Sequence, residues 1–207
     1  MSQPFPALPD EPPVLPSRWS DIWRTMLVEP SADTLAQLTQ APEASASRAH
    51  LWIFLSALVG ALLAGLINWL VRILTAGAGG GPTPLDLVFL SPVIGLVVLA
   101  VFIILVNLML LIAHLFGGKG VYWRLAYAAA AGLAPLILIS LPLSAIPIVA
   151  ATDLLLICYA LFLLVLAIKA VSQIDWSRAI LSLLLAVAIL GALGGCFVVA
   201  LLPFLPR

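Results

Sequence analysis

The chain has 207 residues, 64% of them hydrophobic and 9% charged, more apolar side chain than a soluble globule of that size encloses. It reads as an integral membrane protein. Its nine basic and nine acidic residues cancel to zero formal net charge, which excludes a general attraction for nucleic acid and leaves no lysine cluster as an electrostatic lipid anchor.

The first 17 residues, MSQPFPALPDEPPVLPS, lack the basic, apolar and small-residue order of a cleaved signal peptide, so the first span is expected to direct insertion. Their prolines remove backbone donors, and residues 1–17 are expected to form a disordered, partly polyproline-like leader. RWSDIWRTMLVEPSADTLAQLTQ, residues 18–40, differs. Trp19, Ile22, Trp23, Met26 and Leu27 recur at three- and four-residue steps and fall on one helical stripe, with Asp21 and Arg24 facing elsewhere. Two placements satisfy such a stripe: an interfacial helix with Trp19 and Trp23 dipped into the bilayer surface, or packing against the ends of the protein's own spans. Pro30 stops this helix, and Ser31 or Asp33 is positioned to cap a second short one carrying Leu35 and Leu38. Residues 41–49, APEASASRA, read as a linker, so 18–49 form a cytoplasmic unit ahead of a transmembrane domain at 50–207.

A helical span needs about 20 apolar residues to cross roughly 30 Å of hydrocarbon, and five fit, at about 51–74, 87–116, 122–141, 147–171 and 178–202. The first ends in AGAGGGPTP, the second carries Pro92 near its start, and PLSAIP is expected to break the third at about Leu141. The fourth starts near Ile146 or at Thr152. Four spans would require merging two across Gly117 to Gly120 or across Pro142 to Pro147, both rich in helix breakers. No period-two alternation suggests a barrel, and helices satisfy their own backbone groups in lipid. The expected fold is an all-α, polytopic membrane bundle of five transmembrane helices.

With the N-terminus cytoplasmic, Arg18, Arg24, Arg48, Lys119, Arg124, Lys169 and Arg178 lie inside, and only Arg72 and Arg207 outside. This positive-inside bias alternates correctly only for an odd number of spans and puts the C-terminus outside.

Between the second and third spans stands HLFGGKGVYW, residues 114–123. A phosphate-binding loop would need serine or threonine after its lysine and a preceding strand. Neither is present, and the stretch reads as a cytoplasmic turn: Gly117, Gly118 and Gly120 allow positive φ, Lys119 and Arg124 hold the inner side, and Tyr122 and Trp123 suit the headgroup level. The longer segment LIAHLFGGKGVYWRLAYAAAAGLAP, together with IWRTMLVEPSADTLAQL before the first span and AIKAVSQIDWSRAILSLLL before the last, resembles the Yip-domain (Ypt-interacting protein) family. It is similar to the prokaryotic branch, since the Asp-Leu-Tyr-Gly-Pro segment of the eukaryotic branch, and with it the expectation of prenylated Rab-type GTPase partners, does not occur. The resemblance implies five spans and a cytoplasmic N-terminus.

Polar groups inside a bilayer are costly and are functional candidates by default. Arg72 and Lys169 lie within snorkelling reach of the interfaces, and Asp153 is either a buried acid or a residue favoured by the helix dipole at an outer N-terminus. Asn68 and Asn107 are deeper, and interhelical hydrogen bonding is their expected role. Asn107 and His114, seven apart, share a face that would line a polar path if turned inward. His50 and His114 lack accompanying carboxylates or thiolates at ligand spacing, so no metal or other cofactor is expected. Cys158 and Cys196 fall at different depths, against a mutual disulfide. No protease, lipase or zinc-enzyme motif appears.

Three small-residue pairs, Ala61/Gly65, Ala128/Gly132 and Gly191/Gly195, are spaced to let helices approach closely, with the third span expected at the centre. Together these features suggest a non-enzymatic adaptor, scaffold or organiser in a bacterial cytoplasmic membrane. Its expected partners are lipid, a protein bound through the N-terminal region, and further copies of itself. The alternative is a solute or ion transporter or channel using Asn68, Asn107, His114 and Asp153.

Overall fold

A computed structural model describes residues 18–76, 84–146 and 150–201. The expected leader at 1–17, the glycine-rich break at 77–83, the first residues of the fourth predicted span and the C-terminal 202–207 lie outside the described residues. Among those described there are seven helices and no strand: α1 (Trp19–Val28), α2 (Ala32–Leu38), α3 (Ala46–Ala76), α4 (Pro84–Leu115), α5 (Tyr122–Ser144), α6 (Ala150–Ser172) and α7 (Trp176–Leu201). Helices α3 to α7 are each long and apolar enough to cross a membrane.

Sequence and structure differ at several boundaries. Helix α3 begins at Ala46, so the end of the expected linker is already helical and the first span is longer than 51–74. Helix α5 continues through Pro142 to Ser144, beyond the break expected at Leu141. A proline deletes one backbone donor, but a spanning helix tolerates that loss where neighbouring helices hold the segment in place. Pro92 is likewise accommodated inside α4, with the buried Ser91 hydroxyl donating back to the Leu87 carbonyl at 2.6 Å.

Helix α5 is the centre. It packs most extensively on α3 and next on α6, while α4 closes against α3 and, among the described elements, α7 touches α4 and α6. The reason lies in its side chains: Leu125 through Gly132 are all buried, and five of those eight are alanine. Small side chains let backbones approach where lipid offers no competing hydrophobic gain. A Cβ at Gly132 would stand 3.0 Å from Leu163 of α6, and one at Gly65 2.6 Å from Leu87 of α4, so two of the three predicted pairs sit in tight crossings. The third does not: added Cβ atoms at Gly191 and Gly195 meet no atom of the described residues within 4 Å.

The end of the bundle bearing α1 and α2 is the proximal end, and the opposite end the distal one.

Candidate functional sites at the two ends of the bundle

The proximal end is built from three sequence signals that the fold brings together. The first is the tryptophan stripe. Helix α1 buries Ile22 and Met26, α2 buries Leu35 and Leu38, and all four join the main core. Helix α1 lies against α5 and α2 against α6, so the stripe meets the protein's own spans. Trp19 and Trp23 both meet the fully buried Trp52 of α3 edge-on, at 5.6 and 6.1 Å between ring centres, a geometry that favours aromatic pairs. Trp52 in turn packs on Tyr127 of α5 at 5.2 Å. The Arg48 guanidinium stands 5.3 Å from the Trp52 ring centre and 5.8 Å from that of Trp19, and pairs with Glu43. Ser31 is the capping residue of α2, its hydroxyl accepting from the Thr34 amide at 3.0 Å. The one hydroxyl proton of Tyr159, in α6, is shared between the carbonyls of Met26 and Leu27 at 3.2 and 3.0 Å, which meets acceptors that the end of α1 would otherwise leave open.

The second and third signals are the Gly-Gly-Lys-Gly turn and the α6–α7 turn at 173–175. Gly117 has φ +84°, its amide bonds the His114 carbonyl and the Gly118 amide bonds that of Ala113, each at 2.9 Å. This is a Schellman ending of α4, which calls for glycine at the left-handed position. The turn then docks on the end of α6. The Lys119 amide donates to the Ser172 carbonyl at 3.2 Å, and an added Cβ at Gly120 would stand 2.7 Å from Ser172 Oγ. From the first turn of α7, Arg178 reaches back to the Phe116 carbonyl at 3.2 Å, a cation on the end of α4 where the helix dipole favours it. Lys169 lies 4.4 Å from the Trp176 ring centre, so a cation–π contact links the two sides of the second turn. Lys119, Arg124 and Arg178 face outward from this interlocked surface.

The predicted polar residues separate. Asn107 is exposed and donates to the Ile103 carbonyl of its own helix at 2.8 Å, correcting the expectation of an interhelical bond. A spare donor on an outward face finds its nearest acceptor one turn back. His114, also exposed, donates from Nε2 to the Gly120 carbonyl at 2.9 Å, bracing the turn instead of lining a path. His50 is hydrogen-bonded to the Tyr122 hydroxyl at 2.9 Å. Among the described residues no group of three metal-ligating side chains converges, and Cys158 and Cys196 are free and exposed.

Asn68 and Asp153 are at the distal end, in different cavities. Asn68 and Arg72 line one of about 270 Å³ between α3, α4 and α5, with Trp69 and Ser91. Asp153 lines one of about 230 Å³ between α5 and α6. The two share Leu141 and Ser144. Tyr159, Trp52, Ser172 and the Arg178–Phe116 contact were missed in the sequence. Tyr159 could have been found as the one phenol in the apolar run of α6, a side chain whose polar tip seeks a partner when buried. Nothing local in the sequence marks Ser172.

Five apolar helices and a folded N-terminal cap define a multi-pass helical membrane protein. The family model of the Yip1 domain matches residues 24–198, and the chain belongs to that family. Comparisons with curated proteins and with solved structures each gave no match.

Proposed function

We propose that the protein is a non-enzymatic membrane organiser of the prokaryotic Yip branch, with its proximal face in the cytoplasm of a bacterium and its C-terminus outside. The distribution of arginine and lysine supports that orientation. The observation that carries the organising role is the interlocking of the two proximal turns through Lys119–Ser172 and Arg178–Phe116. Backbone held in this way presents Lys119 and Arg124 at fixed positions, and α1, packed on α5 and tied by Tyr159, does the same for Arg18, Asp21 and Arg24. A preorganised charged surface recognises a partner at a lower ordering cost than a mobile one. Photocrosslinkers placed at Lys119 or Arg24 in native membranes are expected to give the same discrete protein adduct, absent from a probe at Leu184 on α7. Equal labelling from all three positions overturns the reading.

The open glycine face of α7 supports self-association as part of this role, since Gly191 and Gly195 have room for a second helix. In a Cys158→Ser background, mild oxidation in native membranes is expected to join two copies through Cys196. A chain that stays monomeric under oxidation loses this element. A transport role draws on Asn68 and Asp153 at the distal cavities, and solute flux through reconstituted protein, abolished by Asp153→Asn, would replace the organising role.

A further inference from the structure

We propose that the cavity containing Asp153 binds a bilayer lipid through a primary ammonium headgroup. Helices α5 and α6 part at the distal end, and apolar residues, among them Leu133, Leu136, Ile137 and Leu156, form most of the resulting wall. Asp153 is the one charged side chain lining this cavity, with Ser140 and Ser144 as its hydroxyls. Its Oδ1 is shut off from solvent and has no hydrogen-bond partner among the described residues. A carboxylate oxygen in apolar surroundings is expensive unless a donor or a cation meets it.

The position of the acid selects the ligand. Asp153 lies in the first turn of α6, at one end of a 23-residue helix that rises about 34 Å at 1.5 Å per residue, close to the thickness of the hydrocarbon layer. That places the carboxylate at headgroup level and the leucine wall at acyl-chain level. Leu154 and Leu155 beside the cavity, and Ile157 in its lining, are exposed, so its flank is a surface that faces lipid. A primary ammonium carries three N–H donors, enough for the carboxylate and a seryl oxygen together. The Ser144 hydroxyl already donates to the Leu141 carbonyl at 2.7 Å, which leaves its oxygen as an acceptor. A trimethylammonium headgroup has no N–H to give, and an anionic headgroup would bring like charge to Asp153. Phosphatidylethanolamine therefore binds in preference to phosphatidylcholine and phosphatidylglycerol. Lipid binding in this cavity is independent of the organising role.

The full chain in detergent is titrated with the three lipids and with free ethanolamine, and bound lipid is read by native mass spectrometry alongside the unfolding temperature. Phosphatidylethanolamine is expected to bind and stabilise most, and ethanolamine, lacking the chains, little. Asp153→Asn keeps the shape and removes the charge. It should lower phosphatidylethanolamine binding about tenfold or more, the loss expected for a charge-assisted hydrogen bond, and bring the three lipids level. Equal binding of the three lipids by the unaltered chain overturns the proposal, as does an unchanged preference in Asp153→Asn. Full stabilisation by ethanolamine alone overturns the assignment to lipid. The lipid series on the unaltered chain is decisive even if the variant fails to fold.

Discussion

Helices α5 and α7 carry the same kind of small-residue pair and meet opposite fates. Around Gly132 every neighbour from Leu125 to Ala131 is buried, whereas Gly191, Gly194 and Gly195 of α7 have room for a Cβ among the described residues. The difference does not lie in the pairs themselves. Alanines surround Gly132, so a whole face of α5 is thin enough for α3 and α6 to close on it. Around Gly191 the larger Ile189 and Leu193 are exposed, and α7 touches the bundle through its other side. Within a span, a small-residue pair marks a place where close approach is allowed; its neighbours decide whether approach occurs inside the chain or remains available to another molecule.

The sharpest way to break this contrast is to add the same bulk at both sites. Gly132→Leu should cost about 1–3 kcal/mol by overpacking against Leu163, while Gly191→Leu should stay within about 0.5 kcal/mol for the monomer. Thermal unfolding in detergent compares them directly, and equal losses would refute the central position of α5. A second test concerns the turns that tie α4 to α6. Gly120→Ala should cost about 1–3 kcal/mol because its methyl meets Ser172 Oγ. Ser172→Ala alone should be close to neutral, since that buried hydroxyl has no hydrogen-bond partner among the described residues, and the double variant should recover part of the loss. Additive effects would mean that the two residues do not touch.

Smaller still is Tyr159→Phe, expected to cost about 0.5–1.5 kcal/mol through the lost bond to the end of α1. Amide exchange at residues 22–28 should rise while α5 is unaffected. Exchange rising equally in both would make Tyr159 a core residue and not a latch. Asn107→Leu should change stability by less than about 0.5 kcal/mol, because its amide is exposed and bonded within its own helix. A large loss would place that face against a neighbour and restore the polar path.

Much of the fold was legible because its signals are local. Hydropathy located five helices long and apolar enough to span, since each must satisfy the same length against the same slab of hydrocarbon. A cap at Ser31 or Asp33 was readable, of which the structure uses Ser31, and Gly117 was readable as a turn residue, each serving backbone groups only a few residues away. The candidate sites were less legible. Asn107 and Asp153 are both polar residues in apolar runs, yet one faces outward and the other lines a cavity. That distinction depends on how a helix is rotated about its axis, which spans of low amphipathicity leave unspecified when lipid and protein interior are equally apolar.

The amino-acid order alone determined that this chain is helical and that five of its helices are long and apolar enough to cross a bilayer, because those properties follow from backbone hydrogen bonding and transfer from water. Tertiary structure decided which helix stands at the centre, that the tryptophans of α1 meet Trp52, and that Ser172 receives the glycine turn. These are matters of contact between segments far apart in the chain, and side-chain shape on both partners settles them together.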